Sequence, residues 1–247
     1  MEFDISLIVN SLPLLLKGAG LTLEITALAV GLGLVIGLFL GLAQLSKSAF
    51  LRWPAKVYVD IIRGTPLLIQ IFIIYFALPN IIGERIDPFL AAVAACSLNS
   101  GAYIAEIFRA GIQSIALGQL RAGLSLGMTY PQTMRYVVLP QALRNIMPSV
   151  ANEFVINIKD TSVLNVIGFT ELFFYAKTIV SGNYQIFATY LLVAVIYFIL
   201  TFTITRVLRL IEKKMDGKKD YSIQGSQNMD AEAFVKEHKT EGGNIDA

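Results

Sequence analysis

The sequence predicts an all-α membrane protein with about five transmembrane helices, and three observations carry that expectation. Of its 247 residues, 55% are hydrophobic and 15% charged, where soluble domains carry about 25% charged residues. Mean hydropathy is +0.63. Five stretches, 21–45, 66–82, 88–107, 146–169 and 184–208, approach the roughly 20 mostly apolar residues needed to cross a hydrocarbon core.

The basic residues flanking these spans set an expected orientation. Lys47, Arg52, Lys56 and Arg63 follow the first span, and Arg109, Arg121, Arg135 and Arg144 follow the third. Arg206, Arg209, Lys213 and Lys214 follow the fifth. The other side has Lys17, Arg85 and Lys177, partly offset by Glu2, Asp4, Glu84, Asp87 and Glu171. An outside N-terminus and a cytoplasmic C-terminus follow, which an odd number of spans satisfies. The opening MEFDIS is acidic and no cleavage site follows the first apolar run, so insertion through the chain's own spans is expected.

In the first span, Gly33, Gly37 and Gly41 repeat every four residues within GLGLVIGLFLG. The spacing is GxGxxxG inside a spanning segment, not the GxGxxG of a dinucleotide-binding turn, so it predicts close helix packing. Residues 49–63 (AFLRWPAKVYVDIIR) mix Trp53 and Tyr58 with basic groups, as a segment lying on the membrane surface does. Gly64-Thr65-Pro66 reads as a break, with Thr65 as cap and Pro66 at the first position of the next helix.

The third span carries Ser97, Asn99, Ser100, Tyr103 and Glu106. The serines suit helix packing, while Asn99 and Tyr103, at i and i+4, are candidates to line a cavity. Glu106 and Arg109 form an expected anchoring pair at i, i+3. The fourth span is the most polar. Helical spacing puts Glu153, Asn157 and Asp160 on one face and Asn152 with Lys159 on another. A charge near the bilayer centre costs about 2.5–3.5 kcal/mol or more, so such groups face a bundle interior or a wet cavity. One reading is a pathway wall for a polar solute, and the other is a structural polar network. The segment 216–247 is polar and mixed in charge, the composition of a disordered tail.

Several chemistries are excluded by what the sequence holds. Cys96 is the single cysteine and His238 the single histidine, so no internal disulfide, metal site or catalytic residue is expected. Gly217-Lys218-Lys219 lacks the upstream glycine of a phosphate-binding loop, so any ATP and Mg must be held by another chain. No nucleic-acid partner is expected.

Residues 119–144 are too polar to span and too patterned for a slack loop. A short helix over 119–126 is interrupted at Gly127, and Thr129-Tyr130-Pro131 starts another. Leu139-Pro140 is expected to end that unit. Two amphipathic helices bent at a glycine suit either docking of a soluble partner or a helix pair resting on lipid.

GQLRAGLSLGMTYPQTMRYVVLPQALR resembles the cytoplasmic loop of ATP-binding-cassette importer permeases. That family's pattern is EAA, three residues, Gly, nine residues, then I-x-L-P. Ala122, Gly127, Leu139 and Pro140 match in place, and Val137 stands for Ile. Arg63-Gly64-Thr65-Pro66-Leu67-Leu68, Ala102-Tyr103-Ile104-Ala105-Glu106-Ile107, Ala151-Asn152-Glu153-Phe154 and Lys159-Asp160-Thr161-Ser162 resemble the polar amino-acid branch of the family. Together these cover about residues 15–212. Two positions depart from the pattern: Arg121 replaces its Glu, reversing the charge, and Gly123 replaces its second Ala.

The resemblance implies a multi-pass permease subunit of a bacterial inner membrane, paired with itself or a sister permease. An ATPase dimer holding ATP and Mg would dock on the loop at 118–144, through Arg121, Gly127, Met128, Thr129, Tyr130 and Arg135. An external solute-binding protein would deliver a polar amino acid. Solute contacts are expected around Glu153, Asn157, Asn99, Tyr103, Thr65 and Asp160. The competing class is an ion-coupled secondary transporter or channel, in which Glu153, Lys159 and Asp160 would form a relay.

Overall fold

The computed structural model describes the backbone of residues 5–215 and the side chains of residues 10–214. The expected tail, 216–247, and His238 lie outside the described residues. Ten α-helices order the described chain: α1 (Ile5–Leu45), α2 (Ala49–Gly64), α3 (Leu67–Phe72), α4 (Leu78–Ile82), α5 (Pro88–Gln113), α6 (Leu117–Ser125), α7 (Tyr130–Thr133), α8 (Leu139–Asp160), α9 (Leu172–Asn183) and α10 (Ile186–Met215). Two π-helical turns, Ile73–Ala77 and Met134–Val138, join α3 to α4 and α7 to α8, and a 3₁₀ segment, Thr161–Ile167, extends α8.

Three helices are long and apolar enough to cross a membrane alone: α1 over Asn10–Leu45, then α5, then α10. Two more candidate spans are bent pairs, Ala49–Gly64 with Leu67–Ile82 at 106°, and Tyr130–Ile167 with Leu172–Asn183 at 53°. The described residues are therefore all-α, with three to five candidate membrane spans. Leu67–Ile82 by itself reaches only about 24 Å at 1.5 Å per residue, so the segment expected at 66–82 is short for a crossing, and α2, turned by 106°, adds no length along its axis.

Packing fixes the directions. Gly33, Gly37 and Gly41 of α1 lie against Ser100, Ile104 and Phe108 of α5, so the two helices run parallel. A Cβ added at those glycines would stand 2.9, 2.5 and 3.0 Å from its neighbour, and Gly101 likewise admits Ile36. No ordinary side chain fits in that seam. Helix α8 runs antiparallel to α5: Gly111 meets Ile146, while Ser100 bonds Glu153. Arg209 and Glu212 near the end of α10 share a groove with Pro148 and Asn152 early in α8, so α10 runs with α5. The three unbroken spans thus share one direction, and the two bent pairs carry the chain back.

Among the described residues the core has two large clusters and a small one, the small one formed by Val59, Ala102 and Ala105. Ile25 and Ala29 of α1 pack with Ile71, Ala91, Ala92, Ala95, Cys96 and Leu164. Leu15 and Ala19, further back on α1, pack with Leu172 and Ala176 of α9 and Val193 and Ile196 of α10. Small residues predominate where α1 meets α5, as helix contacts in lipid require.

The α2–α3 elbow differs from its expected capping. Thr65 ends α2 in an extended conformation (φ −121°, ψ 142°), and Pro66 occupies the cap position, with the next helix starting at Leu67. The proline ring excludes the helical region for the residue before it. The Thr65 hydroxyl therefore turns back and donates to the Ile61 carbonyl at 2.9 Å.

Leu139-Pro140 also differs from expectation. It does not end the α7 unit: the Met134–Val138 π turn passes directly into α8, which begins seven residues before the expected 146. Pro140 has no N–H to donate, and its ring crowds the carbonyl a turn back. The ladder widens by one residue instead of breaking, and Leu139 N–H bonds the Met134 carbonyl. Pro79 does the same in the first π turn, where Leu78 N–H bonds the Ile73 carbonyl. Tyr-Phe-Ala-Leu-Pro at 75–79 and Tyr-Val-Val-Leu-Pro at 136–140 are thus one local device used twice.

Candidate functional site

The polar face of α8 meets α5 in the interior. Glu153 and Asn157 are each 5% exposed, and Ser100 is fully buried. Glu153 Oε1 accepts from Ser100 Oγ at 3.3 Å and from Asn157 Nδ2 at 3.0 Å. Asn157 Nδ2 also donates to the Glu153 carbonyl at 3.1 Å and to Ser100 Oγ at 3.4 Å. Among the described residues, the second Glu153 oxygen takes no hydrogen bond, so the carboxylate keeps acceptor capacity. The helical spacing of 153 and 157 creates this pair, and Gly33 opposite Ser100 lets α1 close in behind it. Asp160 lies on the same helix, half-buried.

The remaining candidates fall into two places. Asn99 is buried and donates through Nδ2 to Gln70 Oε1 at 3.1 Å. Gln70 in turn donates through Nε2 to the Ile62 carbonyl (2.8 Å), the Thr65 carbonyl (3.1 Å) and Thr65 Oγ1 (3.1 Å). Thr65 and Asn99 are therefore linked through one amide that staples the elbow to α5. Tyr103 does not join Asn99. It stands 38% exposed, with the Arg63 guanidinium 5.4 Å from its ring centre. It opens on a cavity of about 600 Å³ whose wall includes Arg63, Glu106, Asn145 and Ser149. Glu106 and Arg109 form their i, i+3 ion pair beside it.

Gln70 was not among the sequence candidates. A lone amide inside LLIQIFIIYF was its signal, because a polar side chain in an apolar span must find partners. Glu171 was read only as a loop charge. It is fully buried, caps α9 by accepting from Phe173 N (2.7 Å) and Phe174 N (2.6 Å), and accepts from the Tyr197 hydroxyl at 3.1 Å. Thr22 of α1 accepts from Leu172 N at 3.2 Å, tying the same corner to a third helix. No sequence pattern marks that convergence.

The 114–138 loop is ordered by its own chemistry. Gly127 has φ 81° and follows the end of α6. Its N–H bonds the Leu124 carbonyl at 3.0 Å, and Met128 N–H bonds the Gly123 carbonyl at 3.2 Å, which is the double bond of a glycine-terminated helix. Two residues on, Thr129 caps α7 reciprocally with Gln132: Gln132 N–H to Thr129 Oγ1 at 3.4 Å, and Thr129 N–H to Gln132 Oε1 at 2.8 Å. A Cβ at Gly123 would stand 2.5 Å from Thr133 Cγ2, so glycine at this position lets α6 and α7 touch. Arg121, Tyr130 and Arg135 are exposed, and Arg121 makes no ion pair among the described residues. The Arg135 guanidinium lies 5.7 Å from the Tyr136 ring centre.

A family model described as "Binding-protein-dependent transport system inner membrane component" matches residues 33–217. The chain belongs to that family. Among relatives of this transport component is the glutamine transport system permease protein GlnP of Escherichia coli (strain K12). It is 45% identical over 216 residues, covering 87% of this chain and 99% of the relative. The arginine transport system permease protein ArtQ of Bacillus subtilis (strain 168) is 36% identical over 215 residues, covering 87% of this chain and 98% of its own. A crystal structure of an amino acid ABC transporter with histidines matches with a TM-score of 0.82 at 42% identity, over 87% of this chain and 100% of that one. The chain is a membrane-embedded transport permease, and its Ser100–Glu153–Asn157 network sits where α5 and α8 of that permease meet.

Proposed function

We propose that this permease forms the translocation path for a polar amino acid in an ATP-binding-cassette importer of the bacterial inner membrane. The observation that carries the reading is the buried Glu153–Asn157–Ser100 network between α5 and α8. A carboxylate with a free oxygen, set inside a bundle, suits the ammonium group that every amino acid carries. The names of the relatives, glutamine and arginine permeases, support the same substrate class. Asn99, Thr65, Tyr103 and Asp160 would shape the path around it.

The driving chemistry belongs to partners. An ATPase dimer, holding ATP and Mg, would dock on Arg121, Gly127, Met128, Thr129, Tyr130 and Arg135. A second permease subunit, identical or homologous, would complete the path, and an external binding protein would deliver the solute. The N-terminus lies outside and the loop lies in the cytoplasm in this reading.

Reconstituted uptake tests it. With the ATPase and binding protein present, amino-acid uptake should require ATP, and Glu153→Ala should cut it at least about tenfold, the effect of a charge-assisted bond of roughly 1.5–3 kcal/mol, while the complex still co-purifies. Uptake by this chain alone on an ion gradient would overturn the proposal in favour of a secondary transporter.

A further inference from the structure

An adjoining cavity of about 310 Å³, sharing Arg63 and Glu106 with the one at Tyr103, lies between the end of α1, the polar face of α2 and the end of α5. Four cations border it, Arg52, Lys56, Arg63 and Arg109, against two carboxylates, Asp60 and Glu106. Glu106 is already engaged, since Arg109 donates to both its oxygens, through Nε at 3.0 Å and through Nη2. Arg109 also holds Gln113 Oε1 at 2.6 Å. Arg63 reaches Glu106 only at 4.0 Å. Arg52 and Lys56, a turn apart on α2, form no ion pair among the described residues.

Gln44 also lines this wall. The cavity therefore holds more donors and more positive charge than its own residues satisfy. Beside it, the first turns of α2 expose Phe50, Leu51 and Trp53 by 86%, 53% and 69%. Because α2 is bent 106° from the segment that follows, it lies across that segment's axis. Apolar side chains are thus presented next to a donor-rich pocket, the pairing that holds an amphipathic helix at an anionic lipid surface.

We propose that this cavity binds the phosphate of an anionic phospholipid. Arg52, Lys56 and Arg63 supply the donors, and Phe50, Leu51 and Trp53 lie along the acyl chains. A free anion would satisfy the same donors but would gain nothing from the aromatic flank, which favours the lipid.

Trp53 is the only tryptophan in the chain, so its fluorescence reports on this site. The full-length protein in mixed micelles should be quenched by brominated phosphatidylglycerol at roughly tenfold lower mole fraction than by brominated phosphatidylcholine. The double variant Arg52→Gln, Lys56→Gln should erase that preference without lowering the thermal unfolding midpoint. Lys47→Gln, an exposed cation off the cavity wall, should leave it intact. Equal quenching by the two lipids would overturn the proposal, as would a preference that survives the double variant or disappears with Lys47→Gln. Loss of the preference in millimolar inorganic phosphate would assign the site to a free anion and overturn the lipid.

Discussion

Gln70 shows how much one side chain can organise in a bilayer. Its amide nitrogen satisfies two carbonyls and a hydroxyl at the α2–α3 elbow, while its oxygen accepts from Asn99 on α5. Replacing it with leucine keeps the volume but strands the buried Asn99 amide and leaves the partly buried elbow carbonyls unmet, at a cost of about 1–3 kcal/mol. Gln70→Leu should lower the thermal unfolding midpoint of the purified protein, whereas Thr65→Val, at an exposed hydroxyl, should lower it much less. Equal effects would show that the elbow is held by something else. At this scale the sequence was only partly legible. Glu153 and Asn157 were readable because one helix carries both, four residues apart. The partners Ser100, Gln70 and Thr22 were not, because a hydrogen bond between distant helices leaves no periodic mark. Ser100 looked like a packing residue, and it also packs.

Within single elements, local chemistry was readable and its continuation was not. Gly127 and the Thr129–Gln132 box announce the end of α6 and the start of α7 in the sequence itself. The prolines at 79 and 140 read as stops, and the structure turns both into π turns. A proline removes one hydrogen bond, and widening the ladder by one residue lets each helix continue past it. The Gly127 conformation gives a sharp test of the loop. Its φ of 81° has open space around it, so a substituent is opposed by backbone strain alone, about 1–2 kcal/mol for most residues and less for Asn. Gly127→Asn should retain solute-stimulated ATP hydrolysis in the reconstituted complex, and Gly127→Val should reduce it several-fold. Identical rates would remove the bend from the coupling reading.

The whole molecule is three parallel spans and two broken returns, and this arrangement predicts which surfaces share a side of the membrane. Ser48 follows α1 and Glu84 precedes α5, so the two lie at opposite ends of the parallel α1–α5 pair. Cys96 is the sole thiol and is 1% exposed, which leaves a quiet background for labelling. In intact cells an impermeant maleimide should label Glu84→Cys and spare Ser48→Cys until the membrane is opened. The reverse pattern would invert the expected orientation. Hydropathy made the fold class plain, and the glycines at 33, 37 and 41 pointed to the tight face of α1. Neither could show the sharp elbow between α2 and residues 66–82, because a bend of 106° follows from packing and not from composition.

The length of α1 has a mechanical consequence. Its 41 residues make a rod of about 60 Å at 1.5 Å per residue, twice the thickness of a hydrocarbon core. One stretch is gripped by α9 and α10 through Leu15 and Ala19, and another is seated on α5 through Gly33, Gly37 and Gly41. A rod gripped near one end becomes a lever when its other seat slides. Tilting it by about 7° about the Leu15–Ala19 grip carries its far end, roughly 42 Å away, through roughly 5 Å, close to the rise of one helical turn.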